Sequence, residues 1–177
     1  MNNIHHHHKH FHDNILLALL RDGFHEQSQG GSVALRDNGD PLLDYPVTDY
    51  LWDGVRRAFL SMGEIQFAAG ARAVMPSHAH GRLSTSWADY QEQVAGLSYR
   101  LHDVRLASAH VMGGCAMGED PTRAVVNSQG RHHQLENLSI IDGSLFPTSI
   151  GANPQLSIYG MACKQANKLL ETIKASA

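Results

Sequence analysis

The spacing of hydrophobic residues predicts two long amphipathic helices. Between residues 49 and 69 apolar side chains recur every three or four positions, as one buried helix face requires. These positions are Leu51, Val55, Phe59, Met62, Ile65 and Ala69. Thr48 or Asp49 can cap the start of this helix, and Gly70 fits the position just past its end. After Asn153-Pro154 a similar spacing predicts a last helix that extends to about residue 170.

Shorter elements lie between these helices. Residues 32–36 and 41–44 flank an Asn-Gly turn at 38–39, which predicts a β-hairpin. Residues 71–75 and 138–142 are short apolar runs of the kind that form buried strands. Residues 13–20 are interpreted as a short helix, and Ser84 or Ser86 can cap another that passes through Tyr90 and Val94. Helices alternating with a small antiparallel sheet predict the α+β class.

The composition excludes several functional classes. The chain has 177 residues, 42% hydrophobic and 18% charged, as is ordinary for a soluble globular protein. A net charge of −3 argues against nucleic acid or an anionic membrane as a partner. The apolar run at residues 15–20 is far too short to cross a bilayer, and no secretory signal is recognisable. Cys115 and Cys163 are predicted to be reduced, buried thiols, which favours a cytoplasmic location.

Histidine-rich segments raise the question of metal binding. Residues 5–12 contain six histidines, and the tail formed by residues 1–12 is predicted to be disordered. This tail is an expression tag or scar, a chance polar terminus, or a metal-binding segment. No acidic or thiol ligand lies at a fixed spacing to complete a site there. His78 and His80 lie between Pro76 and Gly81, so a loop is favoured over a metal site, and no metal site is predicted.

Three features of the glycine-rich region after residue 106 carry candidate chemistry. His110 precedes the Gly113-Gly114 pair, where a ligand can approach the backbone closely. Asp142-Gly143 ends an apolar run, the position at which open α/β sheets bind ligands. Asn153 precedes Pro154 at a helix start, whose free amides favour a negative charge. Taken singly, each feature is more often structural than functional.

Together these features resemble the carboxy-terminal signature of the glucose–methanol–choline oxidoreductases. The resemblance extends from about residue 109 to about residue 170 and keeps order, spacing and residue type. The matching set is His110-x-x-Gly113-x-x-x-Met117-Gly118, Leu138-x-Ile140-x-Asp142-Gly143-Ser144-x-x-Pro147 and Gly151-x-Asn153-Pro154. It implies FAD-dependent oxidation of an alcohol CH–OH group to a carbonyl, with a small-molecule alcohol as substrate.

The resemblance also implies roles for individual residues. His110 matches the histidine that takes the proton from the substrate hydroxyl, and Asn153 matches the second catalytic position. Asp142 and Gly143 match the pair that touches the flavin chain. The helix start at Asn153, which continues through Pro154, Gln155 and Leu156, matches the element against the flavin pyrimidine edge.

The physical chemistry agrees with these roles. Alcohol oxidation removes a proton from oxygen and a hydride from carbon, and an imidazole is available as a base near neutral pH. No side chain accepts a hydride, whereas a flavin does. A helix amino terminus stabilises the negative charge of a reduced flavin. The Asn153 amide can donate hydrogen bonds to the substrate oxygen without competing for its proton.

The chain departs from the family pattern in two places, and these departures limit the resemblance to one part of the family's sequence. Gly114 stands where family members often carry threonine, and no Gly-x-Gly-x-x-Gly fingerprint for a dinucleotide occurs anywhere in the chain. The resemblance is therefore to a carboxy-terminal portion. It implies a partial substrate-binding lobe at 13–106, with an antiparallel sheet and helices. It also implies a catalytic segment at 107–177, whose strand, loop and helix complete a FAD-binding domain.

Three functional hypotheses follow from the sequence. In the first, the chain is the catalytic end of an oxidoreductase, and an amino-terminal FAD-binding lobe or subunit is its partner. It is then a split subunit, a truncated reading frame or an excised piece of a longer protein. In the second, it is an inactive fragment or a non-enzymatic protein that binds metal through its histidine-rich tail. In the third, it is a stand-alone binding module without a redox role.

Overall fold

The computed structural model describes residues 14–176 and contains helices together with one small antiparallel sheet. The combination of helices and an antiparallel sheet agrees with the predicted α+β class. The elements are, in order, β1 (Ser32–Leu35), β2 (Pro41–Asp44), α1 (Asp49–Ala68), α2 (Trp87–Gly96), a 3-10 turn (Gly143–Leu145) and α3 (Gln155–Ser176).

The hairpin forms where the sequence predicts it. β1 pairs antiparallel with β2, with Ser32 opposite Asp44 and Leu35 opposite Pro41. Gly39 has a φ of 85°, which an Asn-Gly hairpin turn requires of its second residue. The side chains of both strands are exposed, so the hairpin projects away from the buried core.

A core forms between α1, α2 and the loops beside them. The Thr48 hydroxyl accepts the Leu51 N–H at 3.4 Å, and the Ser86 hydroxyl accepts the Asp89 N–H at 3.2 Å, so both predicted caps are confirmed. The buried apolar residues are Val55, Phe59, Val74, Tyr90, Val94 and Val104.

The predicted apolar face of α1 is only partly buried. Val55 and Phe59 reach the core, whereas Ile65 is 58% exposed and Ala69, just past the helix, is exposed. Phe67, near the end of α1, still packs against Trp87 and Tyr90 of α2, so Ile65 is exposed because it lies off the face that α2 covers.

Replacing Gly63 with alanine should destabilise this core. Gly63 is a buried residue of α1 that faces the Tyr90 ring, and a methyl group there would overlap ring atoms. Tyr90 cannot move aside freely, because its hydroxyl donates to the Phe59 carbonyl at 3.0 Å. We expect a loss of about 1–3 kcal/mol in the free energy of unfolding, measured by urea denaturation. Gly96→Ala, with open space around the glycine, should change it by less than about 0.5 kcal/mol.

Three predicted elements do not form as expected. Residues 14–20 are not helical, and residue 13 lies outside the described residues. An isolated helix of this length is unstable without packing, and Ile15, Leu17 and Leu19 are largely exposed. The predicted strands at 71–75 and 138–142 are reduced to single bridges, Val74 with Ser84 and Ser139 with Arg131. Within residues 14–176, neither segment has a neighbour long enough to extend a ladder.

The last helix, α3, is confirmed, but much of its apolar side is exposed. Its exposed apolar residues are Leu156, Tyr159, Leu170 and Ile173. Cys163, on α3, is also exposed and Cys115 is half-buried, so the prediction of two buried thiols is wrong. Across residues 14–176, no helix has the length and apolar character needed to cross a membrane.

Candidate active site

His110 lies in an irregular segment just before a tight turn. Its side chain is exposed, and within residues 14–176 no hydrogen bond holds its ring. Gly113 has a φ of 88°, which lets the chain turn there at little cost. The segment then runs beside residues 143–147, with the Cys115 N–H donating to the Ser144 carbonyl at 3.0 Å. The histidine is thus anchored through the backbone that follows it.

The Asp142-Gly143 turn presents a carboxylate that remains ionised. Asp142 Oδ1 accepts hydrogen bonds from the Ser144 hydroxyl at 2.5 Å and the Ser144 N–H at 2.8 Å. These two bonds, the hydroxyl first, lower the pKa of Asp142 below its ordinary value. Asp142 is exposed, and among the described residues no protein donor occupies its Oδ2. One oxygen therefore orders the turn and the other is available to a hydroxyl donor.

The start of α3 has the predicted cap. Asn153 Oδ1 accepts the Gln155 N–H at 3.0 Å, and the Pro154 carbonyl accepts the first helical bond, from the Ile158 N–H, at 2.8 Å. Pro154 is buried, whereas Asn153, Gln155 and Leu156 are exposed. The helix therefore begins as the sequence indicates, with its first turn open to a ligand.

The chain segments that carry the three features meet at one junction, formed by Val111, Gly143 and Ile158. A Cβ atom on Gly143 would lie 2.9 Å from Ile158 Cδ1 and 3.6 Å from the Val111 carbonyl oxygen. The absence of a side chain at Gly143 lets the Ile158 methyl group pack directly on this turn, while the Val111 carbonyl lies at ordinary contact distance. The His110 ring and the Asn153 side chain are both exposed and are not hydrogen-bonded to each other.

The sequence did not predict that Val111 and Ile158 belong to the site. Val111 contributes a backbone carbonyl and Ile158 a methyl group, and neither differs by residue type from an ordinary apolar position. The one signal in the sequence is Gly143, a glycine two residues after an apolar run, which indicates that another part of the chain packs closely there. It does not indicate that this part is Val111 or Ile158.

The junction and the start of α3 offer hydrogen-bonding and apolar groups that could bind one edge of a polar, negatively charged ring of a ligand. The Gln155 N–H is capped by Asn153, but within residues 14–176 the next two amides of α3, those of Leu156 and Ser157, have no acceptor and lie at the positive end of the helix dipole. Leu156, 83% exposed, offers apolar surface beside them, and Asp142 Oδ2 offers an acceptor for hydroxyl groups. These groups fit the flavin and the hydroxylated chain of FAD. The adenosine half would need a glycine-rich loop that the chain does not contain.

The other histidines form no metal site in the part of the chain that is described. His78 and His80 lie in a loop, as predicted. His78 Nε2 lies 2.7 Å from the Ser98 carbonyl oxygen, and its Nδ1 accepts the His80 N–H at 3.0 Å. Both ring nitrogens of His78 are thus engaged. Among residues 14–176 no three His, Cys, Asp or Glu side chains come close enough to share an ion. The tail at 1–12 lies outside the described residues.

Comparison with known proteins decides the family. Residues 27–162 match the carboxy-terminal profile of the family described as GMC oxidoreductase. The chain belongs to the GMC oxidoreductase family. This confirms the resemblance, and the match also covers the hairpin, α1 and α2. It favours the oxidoreductase interpretation over metal binding through the tail.

Individual relatives give the extent of the similarity. An uncharacterized GMC-type oxidoreductase of Sinorhizobium fredii is 30% identical over 131 residues, which are 74% of this chain and 26% of the relative. A long-chain-alcohol oxidase of Arabidopsis thaliana is 30% identical over 154 residues, 83% of this chain and 20% of the relative. A cholesterol oxidase of Acinetobacter baumannii is 44% identical over 55 residues, 31% of this chain and 10% of the relative. The chain spans about a quarter or less of the length of these GMC relatives.

Proposed function

We propose that this chain is the carboxy-terminal catalytic part of an FAD-dependent GMC oxidoreductase that oxidises an alcohol CH–OH group to a carbonyl. The observation that carries the proposal is the junction of Val111, Gly143 and Ile158, which gathers three separate pieces of the family signature. Relatives named as oxidases of long-chain alcohols and of cholesterol support an alcohol as the substrate class.

His110 is the proposed base. It directly precedes Val111 of the junction and is exposed, and among the described residues no partner restrains its ring, so an imidazole nitrogen is free to accept the proton of a substrate hydroxyl. General base catalysis by a positioned histidine contributes about 10²–10⁴-fold to a rate.

Asn153 is the proposed group that orients the substrate oxygen. Its Oδ1 is committed to the Gln155 N–H, which fixes the plane of the side-chain amide. Within residues 14–176 the Nδ2 group has no hydrogen-bond acceptor, so its two N–H donors are left for a ligand. The cap thereby selects which end of the amide faces the substrate.

The proposed flavin-binding residues are those at the turn and at the start of α3. Asp142 Oδ2 and the Gly143 backbone would hold the hydroxylated chain of FAD. Asn153, Pro154, Gln155 and Leu156 would lie against the flavin ring, with the helix dipole favouring negative charge there. When bound, FAD supplies the acceptor for the substrate hydride.

A second polypeptide or lobe is the proposed partner. Apolar side chains around the junction and along α3 are about half or more exposed: Val111, Leu156, Tyr159, Leu170 and Ile173. A cluster of this kind marks an interaction surface in a folded protein. We propose that a FAD-binding lobe, equivalent to the remaining length of the relatives, covers it and completes the domain. Residues 13–106 then form part of the substrate-binding lobe.

Flavin retention tests the proposal. The purified chain, alone and with the protein encoded directly upstream, is passed through gel filtration and its flavin absorbance is measured. We expect flavin to elute with the protein only in the mixture. Leu156→Glu should abolish this retention, because it places a charge in the apolar surface that the lobe and the flavin ring would cover. Leu43→Glu, on the exposed hairpin, is the matched control and should retain flavin. Absence of flavin in both wild-type samples would overturn the proposal.

A further inference from the structure

A short segment links the loop before Asn153 to the helical lobe, by which we mean residues 45–106 with α1 and α2. We call residues 20–25 the strap. The strap precedes residues 27–162, the part of the chain that matches the family. The loop that it touches, residues 148–151, has no regular secondary structure and leads directly into the cap of α3. The hydrogen bond from the Gly151 N–H to the Ser149 hydroxyl, at 3.2 Å, stays within this loop. Contacts from outside the loop must therefore set its position.

Two glycines with positive φ allow the strap and the loop to approach each other. Gly23, with a φ of 126°, is buried, and a Cβ atom there would lie 2.8 Å from Thr148 Oγ1 and 3.3 Å from Ser149 Cβ. Gly151, with a φ of 72°, lies under Arg21, because a Cβ atom there would be 2.6 Å from Arg21 Cδ and 2.8 Å from Nη1. A Cβ atom at Gly23 would displace Thr148 and Ser149, and one at Gly151 would displace the Arg21 side chain from the loop.

The Arg21 guanidinium is held in place by an aromatic ring. Its central carbon lies 5.2 Å from the centroid of the Phe24 ring, within the range of a cation–π contact. Phe24 has a φ of 57°, a left-handed conformation that is uncommon outside glycine and persists only where tertiary contacts impose it. Among the described residues, no carboxylate forms an ion pair with Arg21. The arginine is therefore oriented by Phe24 and the loop.

The other side of the strap is fastened to the helical lobe. The Asp22 carboxylate accepts a hydrogen bond from the Tyr45 hydroxyl. Burial first, and this bond second, raise the pKa of Tyr45 to about 12. The His25 ring stacks on Tyr50 in the first turn of α1, with centroids 4.0 Å apart and planes 9° apart. Leu20 methyl groups also lie close to α1, next to Gly54.

We propose that the strap fixes the position of Asn153 relative to the helical lobe, with Arg21 as a positioning residue. Arg21 acts through Gly151, which is two residues, or about 7 Å of chain, before Asn153. The inference rests on the proposed function, in which Asn153 orients a substrate that the helical lobe helps to bind. Displacement of a catalytic group by about 1 Å can cost 10²-fold in rate, so the position of a loop without secondary structure matters.

Hydrogen exchange of backbone amides in the full chain tests the positioning directly and requires no flavin. In Arg21→Ala, peptides that cover residues 148–155 should exchange roughly three- to tenfold faster than in wild type, because a cation–π contact and its packing are lost. Peptides from the α1–α2 core should be unchanged. Arg21→Lys keeps a cation over Phe24 and should stay within about twofold of wild type. Arg36→Ala, an exposed arginine beside the hairpin turn, is the control and should change neither region.

Unchanged exchange at residues 148–155 in Arg21→Ala, or an equal increase throughout the chain, would overturn the proposal. In the flavin-loaded assembly Arg21→Ala should lower kcat roughly tenfold with KM nearly unchanged, since Arg21 is not placed to touch the alcohol. Faster exchange with an unaltered kcat would also overturn the positioning role. A wild-type assembly that binds no flavin contradicts the proposed function instead, while the exchange data still show whether the strap holds the loop.

Discussion

Replacing His110 with alanine should reduce alcohol oxidation by the flavin-loaded assembly about 10²–10⁴-fold. The hydroxyl proton must leave for the hydride to follow, and His110, next to Val111 of the junction, is the proposed base that accepts it. The loss should appear in kcat more than in KM, because the proton is transferred in the transition state. The measurement is the rate at which flavin absorbance bleaches after anaerobic mixing with saturating alcohol.

His80→Ala is a suitable control for that experiment. His80 is also an exposed histidine, but it lies in the loop of the helical lobe and its backbone N–H, not its ring, makes the short contact with His78. It should leave the bleaching rate within about twofold of wild type, as surface substitutions usually do. His110→Ala should also bind flavin normally. A His110→Ala protein that bleaches as fast as wild type would show that another group accepts the proton.

Substituting Asn153 should produce two separable effects. Asn153→Ala removes both the cap of α3 and the N–H donors, whereas Asn153→Ser keeps a capping oxygen and loses only the amide donors. Losing a donor aimed at the developing negative charge costs typically about 10²–10³-fold in kcat, so both variants should be slow. Only the alanine variant should also lose about 1 kcal/mol of stability through the cap.

The two effects are measured independently. Bleaching of flavin by alcohol reports the donor, and urea denaturation followed by far-ultraviolet circular dichroism reports the cap. If Asn153→Ser retained wild-type turnover, the Nδ2 group would have no role and Asn153 would be a structural cap only. If both variants were equally destabilised, the hydrogen bond to the Gln155 N–H would not be the origin of the cap's contribution.

Local sequence signals determined much of the fold. Thr48 and Ser86 start α1 and α2, Asn38-Gly39 makes the hairpin turn, and Asn153 caps α3. Each of these features depends on residues within about four positions of one another, so the side chain that satisfies a backbone group is encoded beside that group. The family signature is likewise a matter of order and spacing along the chain, so the sequence alone was enough to indicate the GMC oxidoreductases.

Elements that depend on distant partners were not determined in this way. Residues 138–142 have the composition of a buried strand, but a strand needs a neighbouring strand, and residues 14–176 supply only a bridge to Arg131. Residues 14–20 have apolar residues for a helix face, yet most of these side chains remain exposed in the folded chain. For these segments the hydrophobic pattern indicated which secondary structure is possible, and the tertiary contacts decided whether it formed.

The sequence by itself indicated which residues are candidates for the chemistry: His110, Asp142, Gly143 and Asn153. Only the tertiary structure decided that the backbone after His110 meets Gly143 and Ile158, and that Arg21 rests on Gly151. Both contacts join segments far apart in the chain, and in both a side chain packs directly on a glycine. A glycine in the sequence indicates that another group can pack closely against the backbone at that position. Which group does so depends on the path of the whole chain.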